Sequence, residues 1–434
     1  MINANGFVEF LNKSHSVFHA VKAIEDELLE AGFVRLKENA AWKLENNRYY
    51  YVIRNDSSII AFKIPEIMNV KSINIVASHS DSPCFKIKPV EDVKDGHYNK
   101  LNVEMYGGAI LSTWLDRPLS IAGRAVVKRN GLLMTELVDF NEDVAIIPNV
   151  APHQNREINS GYKWNIQTDL IPMMGLEPQE NYFSKVLARK LNCQPEDIFG
   201  HDLFLYNRQP AEVWGSNKEF ISGMRIDNLE SAYTSLQAFK KSYSTHSLNI
   251  MAVFDNEEVG ATTKQGMASS FLKDTIDRIF AAFYYNSIDV KSILANSFLV
   301  SADNAHAVHP NHPEMYDGFN QTYMNKGVVI KTAAQQSYVS DAVSMAIAKQ
   351  LCSRANIPFQ VFANRSDSRG GATQAAISTI NLPIMAVDVG CAQIAMHSCY
   401  ETCGSMDVDN MINFMSEFYN STVLVEDKTI NVIK

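Results

Sequence analysis

The chain is poor in cysteine, in basic residues and in long apolar runs, and each shortage excludes something. Six cysteines (Cys84, Cys193, Cys352, Cys391, Cys399 and Cys403) are scattered over 434 residues with no CxxC pair. That spacing builds neither a disulfide framework nor a Cys₄ zinc site, and it suits a reducing cytoplasm. Lys and Arg number 39 against 48 Asp and Glu, for a formal net charge of −9. Without a basic stripe or cluster, no nucleic-acid or anionic-membrane partner is expected. No apolar run reaches the roughly 18 residues of a membrane span. The N-terminal residues lack the basic and apolar regions of a signal peptide. With 46% hydrophobic and 20% charged residues, the composition is that of a globular protein.

What is present is a βα rhythm interrupted once. Residues 6–31 predict a single amphipathic helix, since Phe10, Leu11, Val17, Phe18, Val21, Ile24 and Leu28 recur near helical spacing. Apolar and β-branched runs predict strands over 49–54, 58–64 and 72–78. From about 91 to 150 short strand-like pieces separated by turns dominate, the last being EDVAIIP; a polar stretch and a helix over 182–191 follow. After 221, strands over 247–254, 296–303, 328–332, 359–364 and 383–389 alternate with helices over 228–241, 268–284, 340–354, 371–379 and 407–421. That alternation predicts an α/β fold, a largely parallel sheet covered on both faces. The expected organisation is a catalytic domain in two parts, 1–90 and 222–434, around an inserted β-rich module, 91–221.

Every unusual polar cluster falls just past the end of an expected strand or at the start of a helix, where open α/β sheets place their ligand crevices. These are His79 with Asp81, Asp227-Asn228, Asp255 to Glu258, Asp303, and His397. Singly, each has an ordinary explanation as a turn, cap or solvated charge. Together, two imidazoles and several carboxylates form a nitrogen and oxygen donor set suited to zinc, manganese or cobalt. A pair of divalent ions needs one bridging carboxylate, with one His and one carboxylate on each ion. Asp227 can bridge, with His79 and Asp303 on one ion and Glu258 and His397 on the other. Glu257 is then left beside a ligand, positioned as a general base. Asp81, two residues from His79, is expected to orient that imidazole.

The stretches ASHSDSPCFKIKP (77–89), GGAILSTWLDRPLSIAGR (107–124), RIDNLESAY (225–233) and FDNEEVG (254–260) carry a resemblance. So do SADNAHAVHPN (301–311), NKGVVIK (325–331), RSDSRGGATQAAIST (365–379) and VDVGCAQIAMHSCYETCGSMDV (387–408). In this order they resemble the aspartyl aminopeptidase and vacuolar aminopeptidase I family. The resemblance implies a two-zinc aminopeptidase with a three-layer αβα catalytic domain and an inserted dimerisation domain, its dimers assembling into tetrahedral dodecamers. It implies that His79, Asp227, Glu258, Asp303 and His397 are the zinc ligands and Glu257 the base. It also implies that His306, Lys331 and Tyr338 contact substrate, and that His153 serves the neighbouring subunit's site. His153 departs from the family run, with Pro152 placed before it, and so does the segment TAAQQSYVSDAVS after Lys331.

The expected reaction is release of single N-terminal residues from peptides by a metal-bridging water whose proton passes to Glu257. Lys331, facing the pocket, would pair with an acidic first side chain, or instead with a carbonyl oxyanion. Two other readings use the same ligands: a deacylase or carboxypeptidase, and a non-catalytic shell-forming protein.

Overall fold

The computed structural model describes residues 2–433 apart from 369, 372, 374–380 and 427. Among these residues the chain forms a mixed sheet in the order 34–36, 49–54, 58–63, 247–254, 72–79, 298–302, 385–390, 328–331, 359–362. Its centre is parallel: Ser247–Phe254, Ser72–His79, Phe298–Ala302 and Met385–Gly390 run the same way. Antiparallel pairs flank them, at 58–63 on one side and 328–331 on the other.

Apart from half-buried Met385, the central strands are buried along their length, so their side chains alternate between two cores rather than between core and water. Ile73, Ile75, Leu248, Ile250 and Phe254 enter one core with the helices Phe271–Ala282 and Ser287–Ala295. Val76, Met251, Val253 and Val300 enter the other, under Ile2–Lys13, Val17–Glu30, Ile226–Lys241, Ala342–Arg354 and Asp407–Tyr419. The result is a three-layer αβα arrangement. Two buried asparagines tie the layers: Asn74 donates to the Ser421 carbonyl (2.6 Å) and Asn249 to that of Tyr419 (2.9 Å), at the end of the last helix.

A second, antiparallel sheet takes the order 132–139, 119–129, 198–207, 84–93, 98–106, 173–176 around its own core, which includes Phe85, Trp114, Ile121 and Phe183. It opens at Cys84, ahead of the module boundary expected at 91, because the strand Cys84–Val93 continues directly from the turn after His79. A small third sheet joins 212–214, 220–223, 401–404, 392–394 and 305–306.

Several expected elements are corrected. The helix expected over 6–31 is two, because Ser16 takes an extended conformation and caps the second by accepting the His19 N–H. The helix expected over 268–284 is Phe271–Ala282, and Asn286 caps a further, unexpected helix, Ser287–Ala295. EDVAIIP forms only isolated bridges, not a strand. A hairpin, Thr422–Glu426 with Thr429–Ile433, follows the last helix. The helix expected over 371–379 lies largely outside the described residues. No helix among those described is long and apolar enough to cross a membrane.

Candidate metal centre

Neighbouring strand tips bring the candidate residues together. His79 ends its strand opposite Phe254, so the turn carrying Glu257 and Glu258 leaves the sheet beside the imidazole. Asp303 follows Phe298–Ala302, and its N–H bonds the Val389 carbonyl on the next strand (2.9 Å). The approach is so close that a Cβ on Gly390 would lie 1.9 Å from the Asp303 carbonyl oxygen. Asp227 is no ordinary cap. It sits inside the first turn of Ile226–Lys241 with non-helical φ −79° and ψ 107°. His397 holds φ 68°, a left-handed conformation unusual for a non-glycine residue.

These residues line one cleft of ≈ 380 Å³, shared with Glu257, His306, Lys331 and Tyr338. Asp227 is its hub. Oδ1 lies 3.6 Å from His79 Nε2, and Oδ2 lies 3.5 Å from His397 Nε2. His79 Nε2 is also 3.7 Å from Asp303 Oδ1, and His397 Nε2 is 3.4 Å from Glu258 Oε2. Two ligands at about 2.0–2.1 Å from a tetrahedral zinc stand roughly 3.4 Å apart. Each of the four separations is therefore close to an edge of a coordination tetrahedron.

The residues fit the group they are expected to hold. Asp227 Oδ1 is buried without a hydrogen-bond partner, a state that a cation would relieve. His79, Asp227 and Glu258 offer ligand atoms within 4.8 Å of one another. Carboxylates of Asp81, Asp227, Glu258 and Asp303 crowd two imidazoles and one lysine, and burying that much negative charge calls for positive charge among them.

Electrostatics follow from the crowding. Burial alone would depress His79, but hydrogen bonds to Asp303 and Asp81 hold it well above its usual value. Burial likewise opposes His397, yet its bond to Asp227 and the charge of Glu258 lift it to about 10. Burial pushes Glu257 up to about 8, with His79 opposing and Asp303 and Asp81 adding. Glu258 rises well above the carboxylate range through burial and the charge of Asp227. Asp303 goes the other way: burial would raise it, but Lys331 and His79 hold it well below.

Supporting bonds fix the ligands' faces. His79 Nδ1 lies 3.2 Å from the Asp81 carbonyl and 3.3 Å from its Oδ1. The Asp81 carboxylate also accepts the N–H groups of Glu257 and Glu258, each at 3.1 Å. His397 Nδ1 is 2.8 Å from the Gly108 carbonyl. A carbonyl only accepts, so Nδ1 carries a proton and Nε2 is the nitrogen turned to the cleft carboxylates.

Lys331 is buried, and its ammonium donates to the Asp303 carbonyl (2.8 Å), the Asn304 carbonyl (3.2 Å) and Asp303 Oδ2 (3.3 Å). Its three donors already have partners. Tyr338 meets Phe362 edge to face and lies under the Lys331 ammonium, 5.2 Å from ring centre to nitrogen. Burial keeps His306 low and hence neutral. His153 is exposed in a turn-rich segment and does not line this cleft.

Sequence reasoning missed Glu401 and Tyr106. Glu401 Oε1 accepts the His397 N–H (2.7 Å) and Oε2 that of Asp227 (3.0 Å). Its one sequence signal was a carboxylate four residues after a candidate ligand, which is too common to single out. Tyr106 ends a strand of the second sheet, and nothing in its local sequence points at Asp81.

Residues 10–419 match the family model described as "Aminopeptidase I zinc metalloprotease (M18)". A "Probable M18 family aminopeptidase 2" of Clostridium acetobutylicum is 42% identical over 425 residues, covering 96% of this chain and 98% of that one. Among solved structures, a chain of the Ape4 and Nbr1 complex superposes with TM-score 0.92 at 32% identity, covering 96% of this chain and 85% of that one. The S. cerevesiae mApe1 dodecamer gives TM-score 0.83 at 25% identity, covering 96% of each chain. With the family matched along nearly its whole length, the chain belongs to the M18 aminopeptidase I zinc metalloproteases and is a metal-dependent aminopeptidase.

Proposed function

We propose that the chain releases one residue at a time from peptide N-termini, using two zinc-class ions held around Asp227. His79 and Asp303 would complete one ion's set, and Glu258 and His397 the other's. The observation that carries this is Asp227 itself, whose two oxygens face two different imidazoles. When bound, the ions supply Lewis acidity toward the scissile carbonyl and the attacking water.

Glu257, half-buried on the cleft wall, takes the water's proton and returns it to the leaving amine. Burial suits it to hold a proton near neutral pH. Asp81 fixes Glu257 and Glu258 through their N–H groups and keeps the His79 ring aimed at the cleft. The anionic wall draws the substrate's free α-amino group, which restricts cleavage to the terminal residue. Glu257→Gln should lower kcat by roughly 10² or more with metal content unchanged. Acetylating the substrate amine should abolish cleavage. Persistent cleavage would favour the deacylase reading instead.

A preference for Asp or Glu at the first position is the finer expectation. Lys331 is the cleft's lysine, and an acidic side chain would have to draw its ammonium from Asp303. Turnover on a panel of aminoacyl substrates decides it. A preference for Leu or Lys would leave Lys331 with Asp303 alone.

We also propose that the chain assembles with itself in the cytoplasm, as dimers joined into a tetrahedral dodecamer, with His153 reaching a neighbour's cleft. Leu132, Leu133 and Met134 support this, lying exposed on an edge strand of the second sheet. Light scattering on the purified protein tests it.

A further inference from the structure

Asp227 and His397 are the two candidate ligands whose backbones are least regular. One interrupts a helix start and the other holds a positive φ. Glu401 lies four residues from His397 and 174 from Asp227, and it touches both. It is buried at the start of Glu401–Gly404, paired in register with Gly223 just ahead of the Asp227 helix. Each carboxylate oxygen accepts one ligand's N–H.

A buried carboxylate is a costly way to join two loops. Its advantage here is geometric. A carboxylate offers two acceptors, whereas an amide of the same shape offers one acceptor and a donor that would face an N–H. The device repeats across the cleft, where Asp81 accepts the N–H groups of Glu257 and Glu258.

We infer that Glu401 is a positioning residue that clamps the main chains of Asp227 and His397 and so sets the ligand geometry of the ion they share with Glu258. The inference rests on the reading of Asp227 and His397 as ligands. Glu401 touches no reacting atom. It determines whether two side chains from distant segments meet one cation at the required separation.

The test uses the full chain, stripped with a chelator and titrated with Co²⁺ or Zn²⁺ against a chromogenic competitor. The parent should bind two ions. Glu401→Gln should retain one of its two ions roughly 10- to 100-fold less tightly, with an altered cobalt absorption band. Glu401→Asp keeps the charge but is too short to hold both N–H groups, so its loss should be smaller and in the same direction. Amide exchange at Asp227 and His397, measured without metal, should quicken in both variants. A folded Glu401→Gln or Glu401→Asp protein with parental affinity, cobalt spectrum and amide protection would overturn the inference. So would a Glu401→Gln protein of lowered melting temperature whose ions and spectrum are unchanged, since that marks a purely structural residue. A parent that binds a single ion, or a His397→Ala variant that still binds two with parental affinity, would instead overturn the ligand assignment.

Discussion

Tyr106 donates its hydroxyl to Asp81 Oδ2 at 2.6 Å, reaching from the second sheet into the loop that follows His79. The same hydroxyl accepts from Asn256 Nδ2 at 2.9 Å. Asp81 thus gathers three donors from two segments, Tyr106 and the turn of Glu257 and Glu258, before it meets the imidazole. Tyr106→Phe removes one charge-assisted bond, worth about 1.5–3 kcal/mol. We expect a fall in kcat of roughly 10-fold with little change in KM, read by steady-state kinetics alongside urea denaturation.

Lys331→Met leaves the half-buried Asp303 carboxylate without that ammonium. In stripped protein this should destabilise the fold by about 3 kcal/mol or more. Added zinc restores positive charge beside Asp303, so the gap from the parent should narrow. Denaturation with and without zinc measures it, and an equal gap in both would remove Asp303 from the ligand set.

Gly390→Ala places a methyl group 1.9 Å from the Asp303 carbonyl oxygen, a backbone atom with no rotamer to escape through. The strand tip must shift, at a cost of about 1–3 kcal/mol. Because the displaced residue is a candidate ligand, kcat/KM should fall by a larger factor than the melting temperature suggests. Kinetics and a thermal melt on the same sample check the comparison.

Stability should fall in mild acid through His19. Burial pushes its pKa from 6.5 down to about 4, with Asp139 opposing. Between those values the unfolded chain binds a proton that the folded chain refuses, so stability falls as pH drops through that window. The full effect is about 3 kcal/mol. Asp139 acts lower. Burial would raise it, but bonds from His15 and Tyr206 hold it near 2, so its contribution is lost only below 3.8. Urea denaturation of stripped parent and His19→Gln at pH 7, 5.5 and 4.5 should show the shallower slope in the variant.

His79, Glu258 and Asp303 were legible because each follows a strand whose apolar run is unmistakable, and parallel strands bring distant tips to one edge; Asp227 opens a helix, while His397 lies well past its expected strand and rested more on the resemblance. The helix break at Ser14 to Ser16 was not legible, because Phe10, Leu11, Val17 and Phe18 keep helical spacing across it while Ser16 caps anew. Glu401 and Tyr106 act through main-chain N–H groups and across sheets, contacts that leave no periodic trace. The role of Lys331 turned on which acceptors surround its nitrogen, and spacing alone does not specify that.

The carbonyl that orients His397 belongs to Gly108, two residues past a strand of the second sheet. An engineer who spliced out that sheet to obtain a minimal peptidase would also remove the tether on this imidazole. Its proton would be free to migrate to the other nitrogen and its ring to swing out of line. The appended sheet thus holds the aim of one candidate ligand, and trimming the chain down would loosen it.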